Sequence, residues 1–352
     1  MVNFFSHQPA INYGFNKVEY PWQHKVGSPE ANKGKEFIES VMDYWLNLGV
    51  DGFRVDMADS LVKNDGNDKV ETIKLWKSIR ADLATKHPNF EMVSEWANPA
   101  QSLEAGFDSD FVLDHRGTCS HLLFRLDEYD SEAHTPLLMK YDEEVYNKFK
   151  TDLLKRLSEA KKLNKSLSFI SGNHDTLRIA NYLDDLALRQ AYVFLLTMPG
   201  VPFIYAGDEI GAHSKPIPSV EGGFQRTGTR MPMRFDSTKN AGFSTANKTF
   251  LPTNDDDSTV EEMEKDPTSL LHFIQKLIEI RNKEIVLTSD EFELLDGNVL
   301  SYRRGNITVY INITNDIQTI QSEEKEILIA SGSFKQDGGK IALSPKSSIV
   351  IK

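Results

Sequence analysis

Three apolar runs that each close on a carboxylate constrain this chain more than any other feature. They are Gly52-Phe53-Arg54-Val55-Asp56, Met92-Val93-Ser94-Glu95 with Trp96 after it, and Phe169-Ile170-Ser171-Gly172-Asn173-His174-Asp175. Short runs rich in β-branched and aromatic residues, bounded by Gly, Asn and Asp, read as buried strands. A buried strand that ends on an acid is how a parallel βα barrel presents reactive groups on one face.

The intervening sequence supports that architecture. From Asn32 the apolar residues Phe37, Ile38, Val41, Met42, Trp45 and Leu46 recur at helical spacing and predict one apolar face. Helices are then expected near 69–86, 100–106, 141–162, 184–198 and 268–283, with strands at 91–95, 109–114, 167–172 and 202–206. Such alternation implies βα units around a parallel sheet. Five strands of this kind are legible, counting the one that ends at Asp56, whereas a closed barrel has eight. The expected fold is therefore α/β: an incomplete (β/α)8 TIM barrel of about five C-terminal βα units, followed by a small antiparallel β-sandwich. Residues 1–31 read as an irregular loop, 32–285 as the partial barrel and 290–352 as the β domain. In the last part, Ser301–Arg304 and Ile307–Ile311 flank a Gly305-Asn306 hairpin turn. Residues 211–267 read as one long connection, and connections of that length usually serve function.

Composition narrows the function. At 352 residues, with 39% hydrophobic and 26% charged, the chain is ordinary globular material. Its net charge of −12 argues against nucleic acid or an anionic membrane as partner. The single cysteine, Cys119, excludes an internal disulfide framework. Met1-Val2-Asn3-Phe4-Phe5-Ser6 is no secretory leader, and no apolar run reaches membrane-spanning length, so the chain as written is expected in the cytoplasm.

The acids suit a particular chemistry. Arg54 and Asp56 lie two apart on a strand and share a face. A guanidinium beside a carboxylate keeps it ionised, as a nucleophile must be. Glu95 precedes Trp96, and a carboxyl shielded by an aromatic wall rises in pKa toward the range of a proton donor. Asp175, beside His174, suits a role opposing positive charge. A nucleophile facing an acid/base is what glycosidic bond cleavage requires. Taken singly, each motif also fits a plainer role: a structural Arg–Asp pair, a surface glutamate after a strand, and a helix N-cap at Asp175.

Taken in order, these motifs resemble glycoside hydrolase family 13, the α-amylase family. Gly52–Asp56 is similar to that family's strand-four motif, Ser94-Glu95-Trp96 to its strand-five motif, and Asn173-His174-Asp175 to its strand-seven motif. The resemblance implies Asp56 as nucleophile, Glu95 as acid/base and Asp175 as transition-state stabiliser, with Arg54, Asn173 and His174 binding substrate. Gln8-Pro9-Ala10-Ile11-Asn12 resembles a segment of the oligo-1,6-glucosidase-like members. The run Pro199–Gly211 resembles strand eight with its loop. Arg230-Met231-Pro232-Met233-Arg234-Phe235-Asp236 resembles a segment of α-glucosidases, trehalose synthases and sucrose isomerases. The implied activity is retaining hydrolysis of α-glucans or short α-glucosides. A transglycosylase or isomerase of the trehalose synthase type, or a truncated inactive fragment, are the alternatives.

The departures carry expectations too. Asp59 and Ser60 stand where many calcium-dependent amylases have Lys-His, and Arg234-Phe235 where Gln-Trp is usual. The family's strand-three motif, Asp-x-x-x-Asn-His, is missing, so no calcium is expected and no cofactor is implied. Asn254-Asp255-Asp256-Asp257 reads as a solvated acidic loop. Glu209, Arg230 and Asp236 read as loop-pinning charges outside the catalytic set, and Tyr13, Phe15, Trp22 and Phe243 as packing aromatics.

Overall fold

The first helix begins where its capping residues dictate, at Pro29 and not at Asn32. In the computed structural model, which describes residues 9–124, 135–218, 225–322 and 326–352, α1 runs Pro29–Asn47. Ser28 caps it, accepting from the Ala31 amide, and Pro29 sits at N1, where its missing N–H costs nothing. Its apolar residues form two adjoining stripes and not one face. Ala31, Ile38, Met42 and Leu46 pack on the core, whereas Phe37 and Trp45 remain 55% and 49% exposed.

The chain divides into two compact units: Met1–Phe111 with Lys155–Ser168, and Val112–Leu154 with Phe169–Lys352. In the first, β1 (Gly52–Val55), α2 (Val70–Ala84), β2 (Glu91–Ser94), α3 (Pro99–Glu104) and β3 (Ser109–Val112) follow in turn. After α4 (Cys119–Phe124) and α5 (Glu143–Lys162) comes β4 (Ser166–Phe169). The four strands form one sheet in sequence order, β1-β2-β3-β4. The β1–β2 and β2–β3 pairings are parallel, with helices as crossovers. Register is fixed early: a Cβ on Gly52 would lie 2.1 Å from the Glu91 carbonyl oxygen, so only glycine lets β1 approach β2 there. Under the sheet, Trp76, Ile79 and Leu83 of α2 pack with Phe90, Met92, Trp96 and Phe107.

In the second unit a fifth parallel segment is reduced from the expected strand 202–206 to a single bridge, Ile170 to Phe203. Phe203 N–H donates to Phe169 O at 2.8 Å and Ser171 N–H to Phe203 O at 2.9 Å. Pro202 has no N–H to extend the ladder. α6 (Asp185–Thr197), α7 (Val260–Lys265) and α8 (Leu270–Lys283) follow. Arg281 of α8 caps the end of α6, donating to Leu196 O (2.8 Å), Met198 O (3.1 Å) and Gly200 O (2.6 Å). α7 interrupts the expected long connection, held by a capping box between Thr259 and Glu262.

The remaining strands are antiparallel: β5 (Glu293–Leu294), β6 (Leu300–Arg304), β7 (Ile307–Ile311), β8 (Gln318–Gln321), β9 (Ile327–Ser331), β10 (Phe334–Asp337), β11 (Lys340–Leu343) and β12 (Ser348–Ile351). They form sheets β5-β6-β7-β12-β9 and β10-β11-β8. Tyr310, Ile349 and Ile351 of one sheet share an apolar cluster with Ile341, Leu343 and Ile320 of the other, as in a sandwich. Among the described residues no helix is long and apolar enough to cross a membrane.

Candidate active site

Arg54 and Asp56 protrude together at the C-terminal end of β1. The guanidinium lies 2.5 Å from Asp56 Oδ1 through Nη1 and 2.6 Å from Glu95 Oε1 through Nη2. One arginine thus holds two carboxylates from adjacent strands, where the sequence suggested only its pair with Asp56. The second Glu95 oxygen accepts from the Met57 amide at 3.1 Å. That amide is aimed by a left-handed backbone, Met57 having φ +41°. A non-glycine residue in this region carries strain of about 1–3 kcal/mol, a mark of functional turns.

The two acids differ in surroundings. The Asp56 side chain is 70% exposed and that of Glu95 16%. Burial pushes the Glu95 carboxyl above its ordinary value. The Met57 amide and Arg54 oppose that shift, and the like charge and hydrogen bonding of Asp56 add to it. Trp96 is itself buried, packed edge-on against Phe107 and donating from Nε1 to Gln101.

A cavity of about 270 Å³ opens beside Asp56, lined by Met57, Ser60, Leu61 and Lys63 and by Pro9–Ile11 and Tyr13. Ligand pockets are commonly about 300–1,000 Å³, so this one is small. The loop that closes it is anchored: Lys63 N–H donates to Gly14 O and Asn16 N–H to Lys63 O. Gly14, at φ +94°, would bring a Cβ within 2.6 Å of Val26 Cα. Tyr13 is partly buried and its hydroxyl is pushed up to about 12. Tyr20 and Trp22 stack on each other as exposed rings.

In the second unit, Asn173, His174 and Asp175 form a turn, and no helix begins at Asp175 for it to cap; α6 is capped by Asp184. Asn173 Oδ1 accepts from the Asp175 and Thr176 amides at 2.9 and 3.1 Å, so that oxygen shapes the turn. His174 Nε2 is 3.3 Å from Asp175 Oδ2. Arg230, expected as a loop-pinning charge, donates from Nη2 to Asp175 Oδ1 at 3.0 Å and from Nε to His174 O at 2.8 Å. Its signal was the Arg-x-Pro segment already singled out. A buried network supports this turn: Arg178 donates to Asp208 Oδ1 (2.6 Å) and to Thr229 O (3.1 Å), and Ser171 donates to Asp208 Oδ2 (2.7 Å). Glu209 and Asp236 accept from Gly207 and Thr238 amides and pin their own turns.

The acidic loop is tied to the segment at 213–215, with Asp257 bound to His213 and Asn254, and Asp256 to Lys215; Asn254 and the Asp257 side chain are buried and not solvated as expected. Among the described residues no group of three or more His, Cys, Asp or Glu side chains is placed to hold a metal ion.

The family model for the alpha amylase catalytic domain matches residues 27–290. The chain is 25% identical over 375 residues to alpha-amylase 3 of Dictyoglomus thermophilum, covering 99% of this chain and 64% of that protein. It is 25% identical over 318 residues to the salivary alpha-glucosidase of Aedes aegypti, covering 79% and 55%. It thus spans less than two thirds of the length of these relatives. In fold it is similar to the trehalulose synthase MutB of Pseudomonas mesoacidophila, with a TM-score of 0.74 at 20% identity over 94% of this chain and 70% of that one.

Proposed function

Because the chain belongs to the alpha-amylase family, we propose that it cleaves α-glucosidic bonds in α-glucans or short α-glucosides by a retaining double displacement. The observation that carries this reading is the shared guanidinium of Arg54, bonded to two carboxyls of unequal exposure. The open, ion-paired Asp56 attacks the anomeric carbon. The more buried Glu95, raised in pKa, protonates the departing oxygen. As the acyl-linked sugar on Asp56 is hydrolysed, Glu95 takes a proton from the attacking water and is restored to its acid form. Asp175, oriented by Arg230, is assigned the stabilisation of the oxocarbenium-like charge by its motif. His174 is assigned contact with a sugar hydroxyl on the same basis, and Asn173 the shaping of their turn. The reading also takes β1–β4 and the Ile170–Phe203 pairing as five consecutive strands of a (β/α)8 barrel.

The exposure of Asp56 favours hydrolysis over isomerisation, because an ester formed there is open to water. The test is turnover of a nitrophenyl α-glucoside and of maltose by the chain. Release of glucose with retained anomeric configuration, lost in Asp56→Asn, supports the proposal. Trehalose or another isomeric disaccharide as the main product would move it to the transfer reaction. No turnover would overturn it.

A further inference from the structure

Behind Glu95 lies a carboxylate that the proposed reaction does not use. Asp110 on β3 is paired in register with Ser94 on β2, and it is fully buried. Its Oδ1 gathers three donors: the Ser94 hydroxyl at 2.7 Å, the Trp96 amide at 3.2 Å and the Ala97 amide at 3.3 Å. These donors bracket Glu95 on both sides along the chain. Among the described residues neither Oδ2 nor the buried Ser102 Oγ makes a hydrogen bond of good geometry, although the Ser102 hydroxyl lies near enough to favour the carboxylate's charge.

This arrangement is costly for stability alone. Burying a carboxylate with one oxygen poorly satisfied is unfavourable, and among the described residues its hydrogen-bond donors are neutral. Burial pushes the Asp110 carboxyl up to about 6, against the Ser94, Trp96 and Ala97 donors and the nearby Ser102 hydroxyl that favour its charge. The turn it holds is itself strained, with Ala97 left-handed at φ +60°. The Ala97 peptide is also gripped from its carbonyl side by Arg156 Nη1 at 3.2 Å. A residue that is expensive to bury and clamps a strained turn next to a reactive group is usually retained for geometry.

We propose that Asp110 is a positioning residue for Glu95: by holding the Trp96–Ala97 turn through a single oxygen, it fixes the direction in which the Glu95 side chain leaves β2. The inference rests on Glu95 being the acid/base of the reaction proposed above. It assigns the effect to the acceptor at Oδ1 and not to the charge. Asparagine keeps that acceptor and places a donor beside Ser102 Oγ, whereas alanine keeps neither.

The experiment compares wild type, Asp110→Ala and Asp110→Asn in two measurements: kcat and KM on maltose and on a nitrophenyl α-glucoside, and residue-resolved hydrogen exchange of the Trp96 and Ala97 amides. A displaced proton donor costs about 100-fold in kcat on maltose with little change in KM. Nitrophenolate leaves with little proton donation, so the loss on that substrate is smaller. The two amides exchange faster in Asp110→Ala, and Asp110→Asn stays within about threefold of wild type on both substrates. Should Asp110→Ala not fold, Asp110→Ser, too short to reach all three donors, replaces it with the same expectation. Equal losses on the two substrates, equal losses in the Ala and Asn variants, or unchanged exchange of both amides in Asp110→Ala would overturn the proposal. If wild type turns over neither glucoside, the activity falls by itself, while the exchange measurement still decides whether Asp110 holds the turn.

Discussion

Each unit carries an arginine among candidate acids, and the two arginines do different work. Arg54 sits between two carboxylates, at 2.5 and 2.6 Å, one of them exposed and the other largely buried. Arg230 grips one carboxylate and the adjoining carbonyl, fixing both the charge and the backbone of the His174–Asp175 turn. The first arrangement suits groups that must exchange protons and form bonds, because one cation is shared between two acids of unequal exposure. The second suits a group that must be held still. A second contrast runs beneath it. Among the described residues Asp110, buried in the first unit, is met by neutral donors, whereas Asp208, buried in the second, is met by the Arg178 guanidinium.

The largest effect expected is at Asp56. Asp56→Asn should lower kcat by about 10⁴-fold or more, as loss of a nucleophile does, with the thermal midpoint nearly unchanged. Equal residual rates in Asp56→Asn and wild type would erase the functional side of the comparison.

The buried acids should respond with opposite signs. Asp208→Asn leaves Arg178 without its countercharge and should destabilise the fold by about 3–5 kcal/mol in denaturant titration. Asp110→Asn should do the reverse at neutral pH. With its folded pKa raised from 3.8 to about 6, wild-type Asp110 contributes no penalty below the unfolded value. Stability is then lost as pH rises from about 4 to about 6, by about 3 kcal/mol in total, and is level above that. The Asn variant should therefore gain on wild type between about pH 4 and pH 6, the difference holding level from there to pH 7.5. A constant difference across that range would show that Asp110 is not buried as described.

Smaller effects separate the two arginines. Arg54→Ala should cost about 100-fold in kcat/KM, because both acids lose their common anchor. With that cation gone, the Glu95 carboxyl should rise further, moving the alkaline limb of the pH–rate profile to higher pH. Arg230→Lys keeps the charge but supplies one contact where there were two, and should cost about tenfold. An Arg230→Lys variant more damaged than Arg54→Ala would invert the ranking.

How much of this was legible depended on how local the physics was. The strands at 52–55, 91–94 and 166–169 were visible because short clusters of apolar residues there are punctuated by Gly and Asn. Arg54 and Asp56 were visible because strand periodicity puts them on one face. The bond from Arg54 to Glu95 was not, since it depends on parallel register, with Arg54 opposite Val93. The contact of Arg230 with Asp175 spans 55 residues of sequence, and no short-range pattern reports it. Asp110 was hidden differently: an acid in a weak strand does not announce that it will be buried. β8 and β10 escaped because both are mostly polar and partly exposed. The start of α1 and the helix α7 were readable from Ser28-Pro29 and from Thr259-x-x-Glu262, and the hydrophobic periodicity simply outweighed those caps.

Covalent trapping puts the division of labour between Asp56 and Glu95 to its plainest test. Incubation with a slow fluorinated α-glucosyl fluoride, followed by digestion and peptide mass spectrometry, should find the sugar ester on the peptide containing Asp56 and on that residue within it. An ester on Glu95 or on any other carboxylate, or turnover of this reagent with inversion at the anomeric carbon and no ester formed, would contradict it.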